Sequence, residues 1–204
     1  MHSPPLPPPA VALRALGKKL DKEQDVTDVK HIKKIRAMAF TCMGIGFATM
    51  WMKPNIFTAF FLSLWTFSSW TTIAHHTCHG GYNKADQTRF FNSRGFAIGS
   101  LKKRVTQWFD WMLPEAWNVE HNNLHHYRLS EEDDPDLVER NLEFVRTLPV
   151  PRFFKYGAVA FLMCTWKWFY YAPNTYKELV IAEKRRNGEI ITEDMGPQEA
   201  FTLK

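Results

Sequence analysis

Apolar residues are distributed very unevenly along this chain. Residues 37–52 are 16 positions without a charge, residues 56–74 are 19 more, and only Lys53, Pro54 and Asn55 separate them. Each run approaches the ~20 residues needed to cross a bilayer core of ~30 Å, so the pair predicts a transmembrane helical hairpin. The alternative is a buried hairpin of a soluble protein, but two such runs back to back would be unusual in 204 residues. Gly80 and Gly81 mark the expected end of the second helix. It then runs from Ile56 to His79, 24 residues, and at 1.5 Å per residue its length of about 36 Å exceeds the hydrocarbon core by about one turn.

A third run, residues 153–171, is 19 positions rich in aromatics, with Lys155 and Lys167 near its ends. Snorkelling of the two amines to opposite interfaces permits a third span. A helix lying in the interface is the alternative. The fold class expected is therefore all-α and integral to a membrane: a transmembrane hairpin, helices on the cytoplasmic side, and a third span. We divide the chain into 1–36, a disordered Pro-rich leader (to about residue 13) and a basic amphipathic approach; 37–175, the membrane domain; and 176–204, a polar tail.

Charge adds an orientation. The formal net charge is +5, but the cations sit on particular segments. Eight Lys or Arg lie between Arg14 and Arg36 and one in the hairpin turn, which puts the N-terminus on the cytoplasmic side. Ten more between Lys84 and Arg152 agree with that orientation. A lipid headgroup surface accounts for this pattern, and nucleic acid is not an expected partner. Trp51, Trp108, Trp111 and Trp117 are placed as interfacial anchors would be. Cys42, Cys78 and Cys164 are odd in number and widely spaced, so no disulfide framework is expected.

The candidate chemistry is concentrated in histidine. Six of the eight histidines form two clusters, His75-His76-x-x-His79 and His121-x-x-x-His125-His126. On a helix His75 and His79 are i,i+4 and His76 and His79 are i,i+3, so three imidazoles can converge on one ion. His121 and His125 share a face by the same rule, with His126 turned about 100° away and able to reach a neighbouring ion. Two sets of three imply two metals. Imidazole suits iron, zinc, copper or nickel, and residue type alone does not choose among them. Cys78 lies inside the first cluster, as a small apolar filler or, less expectedly, a ligand. Glu131, Glu132, Asp133, Asp134 and Asp136 follow the second cluster. They read as a solvated turn, or as acceptors for the second ring nitrogen of metal-bound histidines, with Glu120 a weaker candidate of that kind.

With these residues in view, the chain resembles the membrane fatty acid desaturase family across roughly residues 35–175. His75-His76-Thr77-Cys78-His79-Gly80-Gly81-Tyr82 looks like its first histidine box. The segment from Trp117 through His121, His125 and His126 to Leu129, with Asp133-Asp134-Pro135-Asp136 behind it, looks like the second. The resemblance implies two iron ions held by His75, His76, His79, His121, His125 and His126 at the cytoplasmic or stromal face of the endoplasmic reticulum or a plastid membrane. It implies removal of two hydrogens from an acyl-lipid or acyl-CoA substrate with O2, and cytochrome b5 or ferredoxin as electron donor. Related hydroxylases and ketolases share these boxes. A zinc membrane hydrolase and a non-catalytic relic are the other classes open. The family carries a third box, and no histidine follows His126; the expectation is an N-terminal piece or degenerate copy whose iron sites are incompletely filled.

Overall fold

In the computed structural model residues 9–189 are described. The proline tract of residues 1–8 and the end of the polar tail, residues 190–204, lie outside them. All described regular elements are helical. The chain divides into two compact units at Phe96/Ala97, taken in turn.

The first unit opens with α1 (Pro9–Glu23). Helix therefore begins inside the expected leader, and physical reasons are clear: Pro9 at a helix start costs no hydrogen bond, and Leu13, Leu16 and Leu20 recur at helical spacing. No residue of α1 is buried. Its exposed leucines and its Arg14, Lys18, Lys19 and Lys22 give it an amphipathic, basic character. Helix α2 (Val26–Thr49) starts at a reciprocal cap, with the Asp25 carboxylate accepting from the Thr27 N–H and Asp28 accepting from the Asp25 N–H. Helix α3 (Ile56–Phe67) begins at Asn55, whose side chain accepts from the Thr58 N–H.

Small residues let these two helices approach. Ala39, Cys42 and Gly46 are buried on α2, and a Cβ built at Gly46 would lie 2.5 Å from Leu62 Cδ2 and 3.3 Å from the Leu62 backbone nitrogen on α3. Thr49 and Thr58 hydroxyls, 2.8 Å apart, close the turn end. Gly46→Val is expected to force the helices apart and destabilise the hairpin by about 1–3 kcal/mol, the usual cost of overpacking. Thermal unfolding in detergent followed by circular dichroism checks it; an unchanged midpoint would mean that the contact gives way freely.

The hairpin is therefore present as a helical hairpin, but its two arms differ. Helix continues from α3 through Ser68–Ala74 and His75–Cys78, and Ile56–Cys78 is the one described helix long and apolar enough to cross a membrane. Only 11 % of its apolar stretch is buried against the chain, unlike a core helix of a soluble protein. The uncharged part of α2 that is helical spans residues 37–49, about 20 Å at 1.5 Å per residue and short of a ~30 Å core. Of the two arms expected to span, one is a helix of spanning length.

After the helix ends, Gly80 takes φ +82°, a left-handed position suited to glycine, and the Gly81 N–H donates to His76 O at 3.0 Å. The loop that follows carries its own core of Phe91 and Phe96, both at most 1 % exposed. It is organised by Asp86, whose carboxylate accepts from the Thr88 N–H and hydroxyl and from the Phe91 N–H. Burial works against the Asp86 charge, but those hydrogen bonds hold its carboxyl below the usual range.

The second unit is built on two long helical paths. One runs Pro114–Trp117, Asn118–His125, His126–Arg128; the other runs Arg152–Trp166, Lys167–Tyr171, Ala172–Arg186. Trp108 and Trp117 lie in this unit's core at 1 % and 2 % exposure, so they are packing residues instead of interfacial anchors, while Trp51 and Trp111 are exposed. The third apolar run is helical throughout, yet it is not among the described helices of spanning length and apolarity. Its two lysines and its Trp and Tyr residues lower its apolarity, and Lys167 is also held inward. Its amine does not snorkel: it makes a 2.6 Å ion pair with Asp110, with side chains 11 % and 5 % exposed. Asp110 in turn accepts from the Met112 N–H, and Arg104 donates to the Asp110 and Met112 carbonyls.

Candidate metal centre

Each unit carries one histidine cluster. In the first, His75, His76 and His79 sit at the last turn of the long apolar helix, where the glycines end it. His75 and His79 have ring centroids 4.7 Å apart and each brings one nitrogen within 4.8 Å of the other's. His76 is exposed and its ring lies 6.2 Å from that of His75. The i,i+4 pair is thus assembled as the spacing implied, and His76 stands to one side. Cys78 is buried and belongs to no group of potential ligands among the described residues.

The second cluster departs from simple helical geometry. Residues 118–125 form a π-helix, with i→i+5 hydrogen bonding. In that register His126 comes edge-on to His121, with ring centroids 4.5 Å apart, and their Nε2 atoms are 3.1 Å apart. His121 and His125 remain neighbours, their rings nearly parallel with centroids 5.3 Å apart; the wider turn adds the close His121–His126 approach, which α-helical spacing did not single out. His121 is fixed from both sides: Trp117 stacks on it at 4.2 Å between centroids, and the Tyr171 hydroxyl lies 3.4 Å from its Nδ1.

His125 also engages an acid. Its Nδ1 is 2.8 Å from Asp134 Oδ1, and Asp134 also accepts from the Ser130 and Asp136 N–H groups at 2.9 Å. Burial opposes the Asp134 charge, but the hydrogen bond with His125 and those two amides keep its carboxyl below the ordinary range. Of the five acids behind the cluster, Asp134 is the one that orients a histidine, leaving the His125 Nε2 lone pair for a metal. Asp134→Ala is expected to weaken metal affinity by about 10–100-fold at nearly unchanged helix content, measured by metal titration; parity with the wild type would leave Asp134 as loop structure only.

Glu120 is fully buried, and neither carboxylate oxygen has a hydrogen bond. Burial pushes its carboxyl up to about 8, with the Asp136 charge adding to the rise and the Tyr171 hydroxyl opposing it. Burial likewise raises Asp136, against a hydrogen bond donated by the Tyr170 hydroxyl. Tyr170 and Tyr171 arrive from the distant third run and carry no local signal near the histidines, and the burial of Glu120 is not visible in local spacing.

The donor set fits a transition-metal ion. Two imidazole nitrogens held at about 2.1 Å by one ion stand roughly 3.0–3.4 Å apart for angles between square and tetrahedral, and His121 and His126 match at 3.1 Å. A second group of possible donors is formed by Glu120, His125 and Asp136.

A family model described as fatty acid desaturase matches residues 32–194, about four-fifths of the chain. The chain belongs to the fatty acid desaturase family. Curated proteins and solved structures provide no match. Both histidine clusters of this desaturase-family chain, and the Asp134 loop, fall within the matched residues.

Beside the second cluster lies an apolar cavity of about 390 Å³, lined by Val138, Leu142, Val159, Leu162, Met163 and Trp166, with Asp136 and Tyr170 as its polar groups. A largely apolar wall with a few convergent polar groups is the usual make-up of a small-molecule site.

Proposed function

We propose that this chain carries the first two histidine boxes of a membrane desaturase-like protein of di-iron type, an oxidoreductase that introduces a double bond into the acyl chain of a lipid or an acyl-CoA. The observation that carries the reading is the His121–His126 pair, whose Nε2 spacing suits one ion, in a chain of this family. We assign His75, His76, His79, His121, His125 and His126 as iron ligands. Bound iron supplies the oxygen activation: O2 takes two hydrogens from the substrate and two electrons with two protons from the donor side, leaving a double bond and two waters.

The chain's own residues bind and orient. Asp134 holds the His125 ring by its Nδ1 proton, and Trp117 and Tyr171 fix His121. The cavity between Val138 and Trp166 holds apolar substrate out of water. The long helix Ile56–Cys78 and the basic helix α1 keep the protein at an endoplasmic reticulum or plastid membrane. Cytochrome b5 or ferredoxin serves as the electron donor.

The test is product analysis. Purified chain, reconstituted with Fe²⁺, a cytochrome b5 or ferredoxin donor system, O2 and acyl lipid or acyl-CoA, is expected to hold iron in preference to zinc and to yield new unsaturated acyl species by mass spectrometry. Hydroxylated product in place of a double bond would move the chain to the hydroxylase branch, and oxygen-independent hydrolysis with bound zinc would overturn the reading.

A further inference from the structure

Glu120 is buried at 0 % exposure with both carboxylate oxygens lacking hydrogen bonds. Among the described residues no Lys or Arg forms an ion pair with it. The Tyr171 hydroxyl acts on this carboxyl, but one hydroxyl serves only one of its two oxygens, and a buried carboxylic acid needs partners for both its O–H and its carbonyl oxygen.

The neighbours supply donor atoms for a cation. One oxygen of Glu120, one oxygen of Asp136 and one ring nitrogen of His125 lie within 4.8 Å of one another. Opposite ligands on an ion with bonds of about 2.1 Å are about 4.2 Å apart, so shifts of roughly half an ångström close the group onto one ion. Each donor is already oriented. Asp134 engages His125 at Nδ1, which leaves Nε2 as the bare nitrogen. The Tyr170 hydroxyl donates to Asp136 Oδ1 at 3.2 Å, which holds that carboxylate in place.

We propose that Glu120, with His125 and Asp136, forms a mixed carboxylate and imidazole site for a divalent first-row metal ion, Glu120 being a direct ligand. Oxygen donors with one imidazole and no thiolate suit Mn²⁺, Fe²⁺ or Zn²⁺. The proposal rests on the metal-binding reading above and deepens it, adding carboxylates to a site otherwise assigned to histidines. Asp136 also lines the apolar cavity, so the same residue belongs to the metal site and to the cavity wall.

The experiment uses the full chain in detergent, stripped with chelator and titrated with Mn²⁺, reading free Mn²⁺ by electron paramagnetic resonance and the unfolding midpoint with and without the ion. Glu120→Gln is expected to weaken Mn²⁺ binding at least tenfold and to lose most of the Mn²⁺-dependent rise in midpoint, while its ion-free midpoint equals or exceeds that of the wild type. Asp136→Asn, which is less buried, is expected to act in the same direction and carries the test if Glu120→Gln does not fold. The exposed control Glu139→Gln leaves binding unchanged. Equal Mn²⁺ affinity in wild type and both variants overturns the ligand assignment while the iron assay of the histidine reading stands apart. A wild type that binds no Mn²⁺ also overturns it, and the iron assay then reports separately whether the histidine reading survives.

Discussion

Replacing His121 and His126 together with alanine is expected to lower iron affinity by more than about a hundredfold and to abolish desaturated product. The scale follows from comparison: losing a residue that merely orients a ligand costs about 10–100-fold, and these two would be ligands themselves, with Nε2 atoms 3.1 Å apart. Single replacements are expected to approach the double variant, because one imidazole cannot hold an ion that needs both. The fold should survive, since neither residue is buried and His126 is exposed, and the helix around them is anchored by buried Ala116 and Trp117. Iron quantitation on protein of unchanged circular dichroism checks the result. Full iron retention in the double variant would sink the assignment.

The largest expected effect on stability is at Asp110. Asp110→Ala leaves the Lys167 ammonium buried at 11 % exposure without its 2.6 Å partner, and breaking a buried pair in this way costs about 3–5 kcal/mol, a large share of the 5–15 kcal/mol typical of a folded domain. Replacing both partners, Asp110→Leu with Lys167→Met, is expected to recover most of the loss, because the desolvation cost of the charges disappears with them. Denaturant unfolding in detergent measures both. If the single variant matches the wild type, the pair is solvated enough to be expendable and Lys167 is free to snorkel as first expected.

The contrast between residues that could be read from the sequence and those that could not follows the range of the interactions. The end of the long apolar helix at Gly80, the meeting of His75 with His79 and the helical hairpin are all consequences of neighbours within a few turns, and periodicity and glycine chemistry reveal them. Asp134 is an intermediate case: an acid near His125 was expected, but five were available, and the choice was made by the loop that directs the Ser130 and Asp136 amides onto one carboxylate. Asp110 and Lys167 are 57 residues apart, and Tyr171 meets His121 across 50. Such pairs have no local signature. Hydrophobic runs also overstate spanning: they count uncharged positions, whereas α2 stops being helical at Thr49 and the third helix turns a charged side chain inward.

Among the described residues three stretches, 68–74, 118–125 and 167–171, are wound with i→i+5 hydrogen bonds, and they lead into His75, carry His121 and His125, and carry Tyr171. The consequence reaches beyond this protein's own geometry to how its relatives should be aligned. A histidine box is ordinarily written as a fixed count of residues, but which imidazoles face each other depends on the winding between them. Two homologues with identical boxes and different windings would present different pairs, and two whose boxes differ by one inserted residue could present the same pair. Comparison by turns of helix, not by residue count, is therefore the one that keeps equivalent nitrogens together.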